Sequence, residues 1–160
     1  MTTTPFKVLF LCSGNSARSI FAEHLIRRTA PGRFESYSAG VNPVGHVNPL
    51  VLRVLHEHYK IDASDARSKS WTELGGVLFD FVITVCDQAR ETCPVWLGQP
   101  IMVHWSCTDP SAFTGSEEEK LQKIWQVAQQ IQRRLDLFCS LPLEKMERMK
   151  LAGAVGDIGQ

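Results

Sequence analysis

The stretch VLFLCSGNSARSIFAEHLI, residues 8–26, carries the first decision about the fold. Four apolar residues run into Cys12, small polar residues follow through Ser16, and Arg18 stands six positions after the cysteine. An apolar run of this kind, reaching back to Phe6, reads as a strand buried on both faces of a parallel sheet. From Arg18 the pattern turns helical, with Ile20, Phe21, Ala22, Leu25 and Ile26 on one broad face up to Ala30, and Pro31-Gly32 closes it.

Between strand and helix lies a loop suited to a tetrahedral anion. Gly14 permits an unusual backbone and Asn15 tolerates a left-handed one. Successive N–H groups of Ser13, Gly14, Asn15, Ser16, Ala17, Arg18 and Ser19 can then turn inward as an anion nest at a helix N-terminus. Arg18 adds a planar fork for two oxygens. The same positive surroundings favour the thiolate of Cys12, Ser16 and Ser19 offer hydroxyls, and the Asn15 amide can brace the loop. A cysteine and an arginine six apart are a weak signal alone. The strand before and the helix after give the pair its weight against the plainer reading, a buried cysteine ahead of an ordinary turn.

Outward from this unit, RFESYSAG (33–40) alternates as a second strand. NPLVLRVLHEHY (48–59) is a helix with Asn48 as N-cap and Pro49 at its first position. LFDFVITVC (78–86) is a strongly β-branched and aromatic strand, and PIMVHW (100–105) a fourth. Ser116 before EEEK starts a long helix, whose stripe runs from Leu121 to Phe138 and ends near Leu141, and LEKMERMKL adds a short one after Pro142. Residues 153–160 read as a loose tail behind a single domain, 1–152. The alternation predicts an α/β, three-layer domain around a four-stranded parallel sheet. Ligands of such sheets bind beyond the strands' carboxyl ends, where Cys12, Cys86 and Asp109 all fall.

Lysine plus arginine and aspartate plus glutamate balance at 17 each, so no global field recruits nucleic acid or an anionic membrane. No apolar run approaches membrane-span length, and the N-terminus lacks the marks of a signal peptide, which points to a cytoplasmic protein. An odd count of five cysteines argues against an extracellular disulfide framework. Cys86 and Cys93 are readable as a redox pair or as one core and one surface cysteine; zinc would want shorter cysteine spacing. Cys139 reads as packing and Cys107 as a pocket-edge residue without a role. No metal site is expected from the histidines: His24, His56 and His58 read as helix-surface residues, and His104 and Trp105 close the fourth strand.

CSGNSARS resembles the active-site loop of the low-molecular-weight protein tyrosine phosphatase family and of the arsenate reductases that share its fold, and Asp109-Pro110 in HWSCTDP resembles the family's general acid. The resemblance covers nearly the whole chain. It implies Cys12 as nucleophile, Arg18 as oxyanion binder and Asp109 as proton donor. VITVCDQARETCPVW looks like the redox segment of the arsenate reductases, which simple phosphatases lack. Ser111 and Ala112 replace aromatic residues common in the phosphatases, and Ala17 a second loop cysteine.

The implied function is reduction of arsenate to arsenite for arsenic detoxification, by Cys12, Cys86 and Cys93 in turn. Phosphate and sulfate would compete. No cofactor is tightly bound, and an external thiol reductant is required: thioredoxin, or alternatively glutaredoxin with glutathione. The runner-up is a phosphatase working through a cysteinyl-phosphate, and a third reading is a non-catalytic oxyanion-binding or redox-sensing protein. Glu23 and Ser38 resemble positions that hold potassium in some arsenate reductases, with the Lys69 ammonium expected to replace the cation. A helical 86–93 segment would hold its cysteine Cα atoms about 10 Å apart, against a disulfide limit of about 7 Å, so the segment is expected to unwind on oxidation.

Overall fold

The computed structural model describes residues 4–94, 96–110 and 113–159. The strands are β1 (Phe6–Cys12), β2 (Phe34–Gly40), β3 (Phe81–Thr84) and β4 (Ile101–His104). They form one parallel sheet in the order β2-β1-β3-β4. The helices are α1 (Arg18–Thr29), α2 (Pro49–Tyr59), α3 (Asp87–Glu91), α4 (Glu117–Ser140) and α5 (Arg148–Ile158). Strand order reverses between β1 and β3, which opens a crevice at their carboxyl ends, and Cys12 and Cys86 lie there.

One sheet face is closed by α4, whose stripe of Ile124, Val127, Ala128, Ile131, Leu135 and Phe138 is buried. The Phe138 ring meets Phe34 at 5.1 Å, Phe81 at 5.2 Å and Trp105 at 5.8 Å. Truncating it to alanine is expected to cost about 3–5 kcal/mol. Ser36 and Ser38 of β2 turn to α1, where their hydroxyls bond Glu23. Tyr37 therefore faces the other side, and there Phe79, Trp96 and Trp71 assemble on it edge to face.

The caps follow the sequence. Asn48 accepts from Leu50 N–H at 2.9 Å, and Ser116 forms a reciprocal capping box with Glu119. Three expectations are corrected. The strand read over 78–86 is ordered as β only over Phe81–Thr84, because Cys86 leaves the ladder to cap the five-residue α3. The tail expected to be loose from 153 is helical to Ile158: Val155 is fully buried, and its carbonyl accepts the Trp105 indole N–H at 2.9 Å. His24 is not a surface residue; it is buried on α1 with Nδ1 3.0 Å from the Ile20 carbonyl oxygen. No helix among the described residues is long and apolar enough to cross a membrane.

Candidate active site

The loop after β1 is shaped by what ties down its carbonyls. The Cys12, Ser13, Gly14 and Ser16 oxygens accept N–H groups of Val41, Asn42, Val44 and Asn48 at 2.9–3.1 Å. Ser68 Oγ also donates to Gly14 O. With its carbonyls turned to the 41–48 segment, the loop can present its N–H groups to an anion. Ala17, the N-cap of α1, supplies no side-chain cap, so the first-turn N–H groups remain available as well.

Asn15 braces the loop, as its sequence context suggested. It is buried at a φ of 49°, and its Oδ1 accepts the Lys69 N–H at 2.9 Å. That fixes the amide so that Nδ2 donates to Ser19 Oγ at 2.8 Å. The Ser19 proton is then free for the Cys12 sulfur, 2.8 Å away, and Asn15 N–H donates to the same sulfur at 3.1 Å. These bonds and Arg18 favour the thiolate, as expected, but the net direction is opposite. Burial pushes the Cys12 thiol up from its ordinary value and Cys86 adds to the rise, because the sulfur is sealed at 2% exposure.

Arg18 lies with Nη2 3.8 Å from the Asp109 carboxylate, while its Nη1 donates to Cys107 O at 3.2 Å. Sequence reading missed Arg134 of α4. Its Nη1 donates to Ser106 O and, at 3.2 Å, to Cys107 Sγ, so the loop that leads to Asp109 is pinned by Arg18 on one side and by Arg134 of α4 on the other. Burial pushes the Cys107 thiol up, ahead of the lowering by both arginines.

Cys86 is buried and accepts the Ser13 N–H at 3.1 Å. Its neighbour Gln88, a second residue the sequence did not single out, takes the Ser13 hydroxyl at 2.7 Å. His104 joins Thr84 Oγ1 at 2.8 Å to Asp87 Oδ1 at 3.1 Å, steadying the first turn of α3. A cavity of about 870 Å³ opens over the loop, lined by Ser13, Gly14, Arg18, Cys86, Cys107 and Asp109 among others. Cys93 does not line it; it lies beyond α3, half-buried. Ser111 and Ala112 fall outside the described residues.

The expectation that the Lys69 ammonium takes the cation's place beside Glu23 is corrected. Glu23 is bonded by Ser38 Oγ at 2.8 Å and by Arg27 Nη2 at 3.3 Å, while the Lys69 ammonium turns to the Arg67 carbonyl. The carboxylate already has its cation, in a guanidinium, so these residues do not fit a bound metal ion.

A sealed cysteine under a loop at a strand-order switch, with Arg18 and Asp109 lining the cavity above that loop, is the arrangement that a phosphatase-type loop requires. Residues 7–149 match the family described as low molecular weight phosphotyrosine protein phosphatase, and the chain belongs to that family. Within it, the chain is 33% identical over 131 residues to an arsenate reductase of Halalkalibacterium halodurans, covering 82% of this chain and 93% of that one. Among solved structures, an arsenate reductase in a phosphate-binding state superposes with a TM-score of 0.69 at 27% identity, covering 82% of this chain and 94% of the other. A thioredoxin-dependent arsenate reductase of Corynebacterium glutamicum gives 0.57 at 25% identity, covering 86% and 65%.

Proposed function

We propose that the protein reduces arsenate to arsenite by a relay of three thiols. The observation that carries the reading is the Ser13–Cys86 contact: the sulfur of Cys86 accepts an N–H of the very loop that holds Cys12. The arsenate reductases among the relatives support it.

Arsenate sits on the loop N–H groups and the Arg18 fork. Cys12 Sγ attacks arsenic, and an oxygen leaves as water after protonation by Asp109. Cys86 Sγ then attacks Cys12 Sγ; the S–As electron pair stays on arsenic, which is reduced by two electrons and leaves as arsenite. The two sulfurs are oxidised to a Cys12–Cys86 disulfide. Cys93 attacks Cys86, returns Cys12 as a thiolate and leaves a Cys86–Cys93 disulfide for an external dithiol. Thioredoxin is the proposed reductant, in keeping with the Corynebacterium neighbour.

The test is arsenate-dependent NADPH oxidation with thioredoxin and thioredoxin reductase. Turnover is expected for the parent chain. Cys93→Ser is expected to release about one arsenite per molecule and stop, whereas Cys12→Ser and Cys86→Ser release none. Phosphoester hydrolysis without arsenate-dependent turnover would replace the reading by the phosphatase. Amides 87–92 are expected to exchange faster in the oxidised protein than in the reduced one, and equal exchange would refute the unwinding step.

A further inference from the structure

The relay leaves one participant with far less chemical support than Cys12. Cys12 has an arginine, a hydroxyl and an N–H acting on its sulfur. Cys93 has no charged group acting on it among the described residues, and burial pushes its thiol up from the ordinary value. Yet a thiol attacks a disulfide as its thiolate, so a half-buried Cys93 with so little support is a poor nucleophile at neutral pH.

Three residues on, Trp96 holds an unused donor. Its Nε1 is buried and makes no hydrogen bond of ordinary geometry. Trp105 shows the usual outcome, with its indole N–H donated to a carbonyl at 2.9 Å. An indole N–H can only donate, and leaving it buried without a partner is costly enough that some state of the molecule is expected to use it. The indole cannot turn away freely. It is 7% exposed, and stands edge-on to Trp71 at 5.8 Å and to Phe79 at 5.5 Å.

The geometry points to Trp96 as a positioning residue for Cys93, its fixed indole N–H being the hydrogen-bond donor that receives the Cys93 thiolate. The one influence opposing burial at Cys93 comes from Trp96. A neutral thiol is a weak acceptor, which accords with the indole N–H making no hydrogen bond of ordinary geometry while Cys93 is a free thiol; a thiolate is a strong acceptor and would engage it. The aromatic cluster thus anchors the far end of the redox segment while 87–92 rearranges. Trp96 does not line the cavity over the Cys12 loop. Its effect belongs to the recycling step, and that consequence rests on the relay reading; the pairing itself does not.

The experiment replaces Trp96 by β-(3-benzothienyl)alanine, which keeps the ring shape and removes only the N–H, with Trp96→Phe as a second variant. Iodoacetamide labelling of Cys93 is followed against pH by peptide mass spectrometry, in a background carrying Cys12→Ser and Cys86→Ser. Loss of the N–H is expected to move the labelling profile up by about one pH unit, roughly tenfold slower at neutral pH. In the parent protein the Trp96 indole proton resonance should shift as Cys93 titrates, and stay flat in Cys93→Ser. In the coupled assay the benzothienyl protein should recycle several-fold more slowly, with single-turnover arsenite release unchanged. Identical labelling profiles, or an indole resonance blind to Cys93, would overturn the pairing even if the relay holds. A shifted profile in a protein with no arsenate turnover would instead keep the pairing and remove the relay.

Discussion

Two segments follow neighbouring strands at the same end of the sheet, and they are built in opposite ways. The loop after β1 is tied at four of its carbonyls, braced through a buried asparagine, and seals its sulfur. The segment after β3 has a five-residue helix, a half-buried thiol and an indole without a hydrogen bond. A fixed loop suits a step whose geometry is set by a tetrahedral anion. A lightly held segment suits a step in which two sulfurs must travel toward each other. In the proposed relay the same contrast separates binding from recycling.

The largest effect should come from striking the fixed loop. A Cβ on Gly40 would fall 2.4 Å from Ser13 O, a backbone atom held in the loop. Gly40→Ala is expected to displace the loop, cost about 1–3 kcal/mol of stability and weaken oxyanion binding by about a hundredfold. Phosphate or sulfate protection in thermal melts would measure it. The counterpart in the other segment is Gly98, at a φ of +82°, where a Cβ would meet only the Leu78 side chain at 3.3 Å. Gly98→Ala is expected to cost about 1 kcal/mol in left-handed strain with anion protection retained. If both variants lose protection alike, the two segments are not independent in the way proposed.

A smaller effect tests the sulfur itself. The Ser19 hydroxyl lowers the Cys12 pKa against the rise imposed by burial. Ser19→Ala is therefore expected to move iodoacetamide labelling of Cys12 to higher pH, about tenfold slower near neutrality. The folded pKa lies above the ordinary thiol value, so the stability that the neutral thiol contributes is complete below that value and is lost as pH rises through the folded pKa. With its folded pKa higher still, the Ser19→Ala protein should begin to lose stability at the same pH as the parent and go on losing it to a higher pH. An unchanged labelling profile would mean that the hydroxyl does not reach the sulfur in solution.

How far all this was legible depends on the distance between partners in sequence. The loop could be read because its cysteine, glycine, asparagine and arginine lie within seven residues, and the caps at Asn48 and Ser116 are equally local. Arg134 could not, since it reaches Cys107 across 27 positions and looks in sequence like any basic residue on a helix. The tail was read as loose; what orders it is Val155 against Trp105, a contact 50 positions long. His24 was within reach: it follows Ile20 by four and Phe21 by three on the apolar face, and periodicity outranked its polarity.

The two segments meet at Ser13, and the smallest prediction concerns that junction. Its N–H goes to Cys86 and its hydroxyl to Gln88, so one loop residue holds both the sulfur and the helix to which the proposed relay assigns resolution and unwinding. The hydroxyl bond is exposed, which places its net worth near the low end for neutral hydrogen bonds, about 0.5 kcal/mol, or a two- to threefold change. Gln88→Ala should act with opposite signs on the two steps. With the tie gone α3 opens more readily, so transfer of the disulfide to Cys86–Cys93 should quicken by about twofold. The freed Ser13 should weaken arsenate binding by a similar factor, read as a higher KM. Rapid-quench thiol mapping follows the first and steady-state kinetics the second. Equal losses in both would make Gln88 a plain structural support, whereas opposed changes would mean that the fixed loop restrains the mobile segment until arsenate has been reduced.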